Sequence, residues 1–233
     1  DEVGNILDLV SFFFSSFGFD DYRVYVSTRP EKYVGSLENW ERATGMLEQA
    51  LKGRQIPYEI DPGEGVFYGP KVDIKIKDCL GREWQCTTIQ VDFNIPERFE
   101  LTYADEGGGF SVPIMIHRAL FGSLERFFGI LLEHHKGNLP LWLAPIQARV
   151  LPITERAIEG ATKIREQFAG EFRIDVDARS EKINRKIRDA EREKVPYMLI
   201  IGDREIAEGK VALRCHGQGM LGTFTPAEIS SRL

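Results

Sequence analysis

The feature that most constrains the fold is a pair of alternating segments joined by a short turn. Residues 71–77 read Lys-Val-Asp-Ile-Lys-Ile-Lys, and residues 83–93 return with the same two-residue period over their second half. This period is typical of strands buried on one side, because successive side chains point to opposite faces. The segments therefore predict an antiparallel hairpin. Its polar face would carry Lys71, Asp73, Lys75, Lys77, Thr88, Gln90 and Asp92.

Helical and extended patterns flank this hairpin. Apolar residues recur about every 3.6 positions in residues 2–17 and 37–52, which predicts two helices. Residues 22–27 and 113–120 are predicted strands, and residues 122–135 form a long predicted helix. Together these segments predict an α+β unit built around an antiparallel sheet.

After residue 140 the pattern changes to strands that alternate with helices. Strands are predicted at residues 147–152, 172–177, 197–201 and 210–216, and helices at residues 155–168 and 181–194. A turn is expected at Gly202 and Asp203. Thr225 and Glu228 form a capping box, so we expect a last helix that is still running where the sequence stops. This order predicts an α/β unit with a mainly parallel, mixed sheet.

The same boundary separates two charge balances. Residues 1–140 hold 14 Lys and Arg against 22 Asp and Glu, whereas residues 141–233 hold 16 against 14. The linker candidate is Lys136-Gly137-Asn138-Leu139-Pro140, so we predict domains at residues 1–138 and 141–233. The net charge of −6 argues against a globally basic nucleic-acid binder, but the basic second part suggests a partner different from that of the acidic first part.

Composition and cysteine spacing limit the class of protein and its cellular location. Hydrophobic residues make up 42% and charged residues 28%, which is ordinary for a globular chain and excludes a disordered one. The apolar runs are far shorter than the ~20 residues of a membrane helix, so no membrane partner is expected. The cysteines have no CxxC spacing, which favours a reducing, cytoplasmic location over a disulfide scaffold. They are Cys79, Cys86 and Cys215.

Three features of the first part have both a functional and a structural interpretation. A loop rich in Gly and Pro, residues 63–70, could bring backbone and the Tyr68 hydroxyl to a ligand, but a plain turn is the commoner explanation. Arg126 lies in the first turn of a predicted helix, where the helix dipole disfavours a cation unless an anion binds there; an ion pair with a neighbouring carboxylate is the alternative. His117 is more often a core residue than a metal ligand, since a zinc site needs three protein ligands.

Basic residues crowd residues 179–194 of the second part. A charge run is usually a solvated helix face, and acidic residues are interleaved here. Arg214 lies on the strand that follows and is expected to be exposed. An exposed Arg beside a basic helix could contact RNA. In such complexes contacts to phosphates position the RNA, and contacts to base edges distinguish one sequence from another. Both interpretations remain open from these residues alone.

Several stretches, taken together and in order, resemble the C-terminal part of the bacterial threonyl-tRNA synthetases, which are class IIa aminoacyl-tRNA synthetases. They span residues 27–32, 63–71, 84–93 and 115–119. Glu125-Arg126 is similar to the third class II signature motif, and residues 142–147 are similar to the start of the class IIa anticodon-binding domain. The resemblance covers essentially the whole chain. It implies a class II catalytic piece followed by an anticodon-binding domain, with ATP, Mg²⁺, L-threonine and tRNA(Thr) as ligands.

The resemblance also implies roles in the activation of threonine. Arg126 would bind the ATP phosphates, and Lys71 would lie near the reacting phosphate and carboxylate, so both are catalytic candidates. Gln85 and Thr88 would contact ATP.

Further implied roles concern the amino acid and the tRNA. Tyr68 and Gln90 would line the threonine pocket, and His117 would be one of three protein ligands of a Zn²⁺ that selects threonine by its hydroxyl. Glu205 and Arg214 would read anticodon bases.

The chain departs from the family in two ways. Ser180 and Cys215-His216 stand where relatives often have other polar or basic residues around the anticodon. The first two class II motifs are missing, and with them two zinc ligands, an ATP-orienting Arg and most of the interface of an expected homodimer. The full-length enzyme would be a threonine–tRNA ligase, whereas this chain alone is expected to be inactive. The alternative is a non-catalytic tRNA-binding or regulatory paralogue.

Overall fold

The structure, a computed structural model, describes residues 1–232 and forms two compact units, Asp1–His134 and His135–Leu233. The helices of the first unit are α1 (Glu2–Phe17), α2 (Leu37–Gly53), α3 (Ile95–Arg98) and α4 (Leu124–His134). Its strands are β1 (Tyr22–Ser27), β2 (Glu59–Asp61), β3 (Lys71–Lys77), β4 (Glu83–Asp92), β5 (Tyr103–Ala104), β6 (Phe110–Ser111) and β7 (Met115–Ala119). None of the helices among the described residues combines the length and apolar character that a membrane crossing requires.

Five strands of the first unit form one sheet in the order β2-β1-β3-β4-β7. All neighbours in it are antiparallel except β1 and β2, so the prediction of an antiparallel-rich sheet is confirmed. The short strand β2 and the small hairpin β5–β6 have no counterpart in the sequence predictions, because segments of two or three residues are too short to show a period.

Two amphipathic helices pack their apolar stripes into the first unit. In α1, Leu7 and Phe14 are fully buried, and Gly18 ends the helix in the left-handed conformation with φ 77°. In α2, the Ser36 hydroxyl accepts a hydrogen bond from the Asn39 amide, and Trp40 is buried. The periodic apolar residues thus lie where a helix of 3.6 residues per turn places them.

A β-bulge interrupts the predicted hairpin. Ile74 of β3 pairs with Thr87, but the next residue, Lys75, pairs with Gln85, so Cys86 has no partner across the hairpin. A bulge of this kind shifts the alternation of the longer strand by one residue. Gln85 and Thr88 therefore lie on the same face of the sheet, although their spacing would put them on opposite faces of a regular strand.

The second unit is built on a mixed sheet in the order β12-β11-β10-β8-β9. Its strands are β8 (Ala148–Pro152), β9 (Ile174–Val176), β10 (Tyr197–Ile201), β11 (Val211–Cys215) and β12 (Gly219–Phe224). Its helices are α5 (Ile158–Gln167), preceded by a 3₁₀ turn at Glu155–Ala157, α6 (Ile183–Arg192), α7 (Asp203–Glu208) and α8 (Pro226–Ser230). Strands β8, β9 and β10 are parallel and β11 and β12 are antiparallel, which confirms the predicted mixed sheet.

Alternate residues of β10 point into two apolar clusters, one on each face of the sheet. Leu199 packs with Phe168, which follows α5, whereas Met198 and Ile200 pack with Ala190 of α6. Burial on both faces explains why β10 is apolar throughout. Two predictions are wrong in detail: the expected turn at Gly202 is the start of α7, and α8 ends at Ser230 before the end of the chain. Strand β12 has no counterpart in the sequence predictions.

Candidate functional site

A row of four polar side chains crosses the sheet of the first unit. Ser27 pairs with Lys71, Lys71 pairs with Gln90, and Gln90 pairs with His117 in the strand register. Residues directly opposite one another share a face of the sheet. The structure therefore brings together three of the predicted site residues from three strands and adds Ser27 to them.

The Tyr68 side chain lies against this row. Its hydroxyl donates a hydrogen bond to Gln90 Oε1 at 2.6 Å, and its ring centroid is 5.7 Å from that of His117. Partial burial and the charge of Asp92 raise the pKa of Tyr68, so its hydroxyl stays protonated at neutral pH. Tyr68 and Gln90 thus form one hydrogen-bonded pair beside the imidazole.

Gly69 allows the Tyr68 loop to lie close to the sheet. A Cβ atom at position 69 would stand 1.8 Å from the carbonyl oxygen of Val91 in β4. The sequence suggested that glycines of this loop let backbone approach a ligand. At Gly69 the approach is to the neighbouring strand instead, and its effect is to place Tyr68 over the polar face.

His117 has a buried carboxylate as its neighbour. Its Nε2 is 3.0 Å from Asp92 Oδ2, and the Asp92 side chain is fully buried. The other oxygen, Oδ1, accepts hydrogen bonds from the backbone amides of Asn94 and Ile95, both at 2.9 Å. These two bonds fix the carboxylate, which in turn orients the imidazole ring.

A second buried carboxylate, Asp73, contacts several predicted site residues. Its Oδ1 accepts hydrogen bonds from Gln85 Nε2 at 2.6 Å and from Thr88 Oγ1 at 2.9 Å. Its Oδ2 accepts a hydrogen bond from Ser27 Oγ at 3.1 Å and lies 2.6 Å from the Lys71 ammonium nitrogen. Gln85 Nε2 also donates to Thr88 Oγ1 at 2.8 Å. The bulge at Cys86 makes this cluster possible.

Arg126 lies beside the cluster, in the first turn of α4. Its Nη2 donates to the backbone carbonyl of Gln85, and its guanidinium lies 5.7 Å from the centre of the Trp84 ring. No carboxylate forms an ion pair with it among residues 1–232. The sequence left an ion pair with a neighbouring carboxylate as the alternative to anion binding. The structure does not show that ion pair for Arg126 in the described residues. The exposed guanidinium remains able to bind an anion.

Arg214 of the second unit is held by Glu191 of α6. Arg214 Nε lies 3.1 Å from Glu191 Oε1. The sequence predicts an exposed Arg214, but only 28% of its side chain is exposed. Glu191 Oε2 accepts a hydrogen bond from the Gly217 amide at 3.2 Å and lies 2.7 Å from His216 Nδ1. Burial raises the pKa of Glu191, but the Gly217 and Arg214 hydrogen bonds outweigh it and lower the pKa overall.

Glu205 has a local structural role. Its Oε2 accepts a hydrogen bond from the Gly202 amide at 2.9 Å, which caps the N-terminus of α7. Within the described part of the chain, no hydrogen bond or ion pair joins Glu205 to Arg214. The structure therefore does not assemble these two residues into one cluster as it does the residues of the first unit.

Comparisons with known proteins match both units. The family described as "tRNA synthetase class II core domain (G, H, P, S and T)" matches residues 1–135, and the anticodon binding domain family matches residues 147–233. The chain belongs to the class II tRNA synthetases. Its resemblance to the threonyl-tRNA synthetases is confirmed by curated relatives and by a solved structure.

Two curated relatives are named threonine–tRNA ligases. That of Desulforamulus reducens is 49% identical over 234 residues, covering 100% of this chain and 37% of the relative. That of Dehalococcoides mccartyi is 53% identical over 214 residues, covering 91% of this chain and 37% of the relative. The chain thus spans little more than a third of the length of these relatives. The RNA-binding domain of threonyl-tRNA synthetase from Cryptosporidium parvum superimposes with a TM-score of 0.92 at 38% identity, covering 99% of this chain and 58% of that one.

The potential metal-binding side chains in the described part of this class II synthetase chain do not form a zinc site by themselves. His117 is one candidate ligand, but residues 1–232 contain no group of three His, Cys, Asp or Glu side chains placed to hold a metal ion. The cysteines are free thiols, and Cys86 is buried, so its pKa is raised to about 11. A thiol with a raised pKa is a poor metal ligand, because the thiolate is the coordinating form.

Sequence reasoning missed three residues of this site, Ser27, Asp73 and Asp92. Asp73 and Asp92 were placed on the polar face of the hairpin, but nothing in the alternation distinguished them from solvated charges. The signal available was their position, since Asp73 and Asp92 each lie two residues beyond a predicted ligand-binding residue, Lys71 and Gln90 respectively, on the same face of the strand.

Proposed function

We propose that this chain provides part of the active site and the anticodon-binding domain of a threonine–tRNA ligase. This enzyme would use ATP to join L-threonine to tRNA(Thr). The observation that carries the proposal is the in-register row of Lys71, Gln90 and His117, with Tyr68 bonded to Gln90. Full-chain identity of 49% to a named threonine–tRNA ligase supports it.

The proposed ATP side of the site consists of Arg126, Lys71, Gln85 and Thr88. In the first step the threonine carboxylate attacks the α-phosphorus of ATP, and pyrophosphate leaves. Negative charge builds up on the phosphate oxygens, so Arg126 and Lys71 are the proposed catalytic cations. Mg²⁺ bound with ATP would neutralise further phosphate charge. Gln85 and Thr88 are uncharged and would orient the nucleotide by hydrogen bonds.

The proposed threonine side of the site consists of Tyr68 and Gln90. The Tyr68 hydroxyl donates a hydrogen bond to Gln90 Oε1, so its oxygen can still accept a hydrogen bond from the ammonium or hydroxyl of threonine. The Gln90 amide nitrogen is a second group that can bind the amino acid, as a donor to its carboxylate. A pair held by its own hydrogen bond is preorganised, which lowers the entropic cost of binding.

Zinc remains a proposal for the complete enzyme only. His117 would be one of three protein ligands, and the other two would come from a part of the enzyme that this chain does not contain. The chain alone offers one candidate ligand among its described residues, so no step of the mechanism is assigned to the metal.

The second unit is proposed to bind the anticodon of tRNA(Thr). Arg214 can donate to acceptors on a base edge, and its contact with Glu191 limits the directions in which the guanidinium can point. Glu205 could use only the carboxylate oxygen that does not cap α7. We also propose that the units correspond to domains at residues 1–138 and 141–233, and that the complete enzyme is a cytoplasmic homodimer.

The test is an enzyme that we call the completed ligase, in which this chain replaces the matched C-terminal part of the Desulforamulus reducens relative. Threonine-dependent ATP–pyrophosphate exchange and charging of tRNA(Thr) are measured. We expect both activities, and a fall in exchange of about 100-fold or more for Arg126→Ala. Arg42→Ala, which removes an exposed Arg of α2, is the matched control and should retain activity. A folded completed ligase that binds tRNA(Thr) but shows no exchange would favour the non-catalytic paralogue.

A further inference from the structure

Asp73 is unusual because it is a charged residue in a buried position of the sheet. Only 4% of its side chain is exposed. Burying a carboxylate is costly, and replacing a buried ion pair by apolar residues is often neutral or stabilising. The stability of the sheet alone therefore does not explain a carboxylate here. Its partners suggest another reason, since they are residues proposed to bind the nucleotide.

The carboxylate joins three strands through its two oxygens. Ser27 lies on β1, Lys71 on β3, and Gln85 and Thr88 on β4. Each oxygen has two partners, so all of the directions in which a carboxylate accepts well are used. Gln85 and Thr88 can both donate to Asp73 only because of the bulge at Cys86, since a regular strand would turn Gln85 to the other face.

The threonine side of the site is held by different groups. Tyr68 and Gln90 bond to each other, and His117 contacts Asp92. No hydrogen bond or ion pair links Asp73 to any of these four residues within the described chain. Two buried carboxylates therefore divide the polar face, one beside each half of the proposed site.

We propose that Asp73 is a positioning residue for ATP: it holds Lys71, Gln85 and Thr88 in the arrangement that receives the nucleotide, and it does not act on threonine. The inference rests on the proposed function. It assigns Asp73 no contact with the reacting atoms. Its contribution is to fix three side chains before ATP arrives, so that their rotamer entropy is not lost on binding.

Asp73→Asn is the informative substitution because it keeps the size of the side chain. The new amide has one oxygen that accepts and a nitrogen that can only donate. That nitrogen would face donors on whichever side it lies, either Gln85 and Thr88 or Ser27 and Lys71. The Lys71 ammonium also loses the negative charge beside it. We expect the loss of order to be local, since the apolar face of the hairpin is unchanged.

The experiment measures ATP–pyrophosphate exchange by the completed ligase while ATP and threonine are varied separately. Asp73→Asn should raise the KM for ATP about tenfold or more and leave the KM for threonine within about twofold. Asp177→Asn is the matched control, because it removes a buried, Arg-paired carboxylate from the second unit; both KM values should stay within about twofold. Equal changes in both KM values for Asp73→Asn, or no change in either, would overturn the inference.

A second measurement separates failure of this inference from failure of the proposed function. NMR of the chain itself follows the Gln85 side-chain amide signals, without ATP and without activity. Asp73→Asn should shift and broaden them, whereas Asp177→Asn should not. Unchanged Gln85 signals overturn the positioning role even if the completed ligase is active. An inactive completed ligase with shifted Gln85 signals counts against the proposed function and supports the contacts assigned to Asp73.

Discussion

Arg214 and Glu191 form an ion pair between a strand and the basic helix of the second unit, with 3.1 Å between Nε and Oε1. The pair orients an Arg that is proposed to read an anticodon base. It also means that Arg214 is not a freely mobile cation. Effects of substitutions at these two residues should therefore be coupled.

The first prediction concerns tRNA discrimination. Arg214→Ala should remove the preference of the chain for tRNA(Thr) over an anticodon-swapped version, at a cost of ~1–3 kcal/mol in binding free energy. Glu191→Gln should reduce the same preference by a smaller amount, because the Arg remains but is less well oriented. Binding of both tRNAs at several salt concentrations measures this. Equal binding of the two tRNAs by the unsubstituted chain would refute the anticodon-reading role of Arg214.

A non-specific effect is predicted for Lys182 and Arg185 at the start of α6. Replacing either by Ala should weaken all tRNAs alike and reduce the salt dependence of binding, since each phosphate contact releases counterions. Lys163→Ala is the control. It removes an exposed Lys that pairs with Glu159 on α5, and we expect little change. A selective loss of tRNA(Thr) binding in the Lys182 variant would contradict this prediction.

Gly69→Ala should disrupt the threonine side of the site. The added Cβ would stand 1.8 Å from the Val91 carbonyl oxygen, so the loop must move and carry Tyr68 away from Gln90. We expect the completed ligase to lose threonine affinity by about tenfold or more, which corresponds to at least ~1.4 kcal/mol. Gly45→Ala is the matched control within α2, where the new Cβ meets nothing within 4 Å. It should stabilise the chain by up to ~1 kcal/mol.

The acid stability of the second unit should depend on Asp177. The Arg179 hydrogen bond holds the pKa of this carboxyl below its usual value of 3.8. A group with a lowered pKa in the folded state contributes stability above its unfolded pKa, and this is lost as pH falls through the folded value. The contribution should therefore be complete above about pH 4 and decline progressively as the pH falls further. Thermal unfolding between pH 2 and 7 should show a smaller acid-dependent loss for Asp177→Asn.

The two units should respond separately to core substitutions. Leu47→Ala in the first unit and Leu199→Ala in the second each create a cavity at a fully buried position, at a cost of ~2–5 kcal/mol. Calorimetry should show two transitions, with each substitution lowering only one of them. A single transition lowered by both substitutions would contradict the proposed domain division.

The isolated chain should not catalyse threonine-dependent ATP–pyrophosphate exchange. It offers one candidate zinc ligand, and the family motif that supplies the ATP-orienting Arg is not found in it. Exchange clearly above that of an Arg126→Ala control would show that these groups are dispensable.

The sequence predicted the fold well where a period was long enough to read. The β3–β4 hairpin, α1, α2 and the mixed sheet follow from apolar spacing, because burial of one face or both imposes it. The bulge at Cys86 could not be predicted, since one extra residue leaves the composition of a strand unchanged. The six-residue helix α7 is shorter than two helical turns, so the sequence pattern predicts only a turn there.

The resemblance predicted which residues belong to the site, but not the hydrogen bonds and ion pairs that join them. The resemblance named Lys71, Gln85, Thr88 and Gln90, and the structure places them on one face. The carboxylates that organise them were not recognised, because a polar residue on an alternating strand looks the same whether it faces solvent or a cluster. Such contacts depend on the strand register. Neither the turn nor the alternation of this hairpin is sufficient to predict that register.

The bulge at Cys86 restricts how this hairpin can change during evolution. Gain or loss of one residue between Gln85 and Thr88 would turn one of these side chains towards the apolar face. Length variation is compatible with function only outside that interval, and the turn at residues 78–82 is the nearest place for it. Among homologues of this chain, insertions and deletions in the hairpin should therefore be confined to its tip, while the number of residues separating Gln85 from Thr88 stays constant.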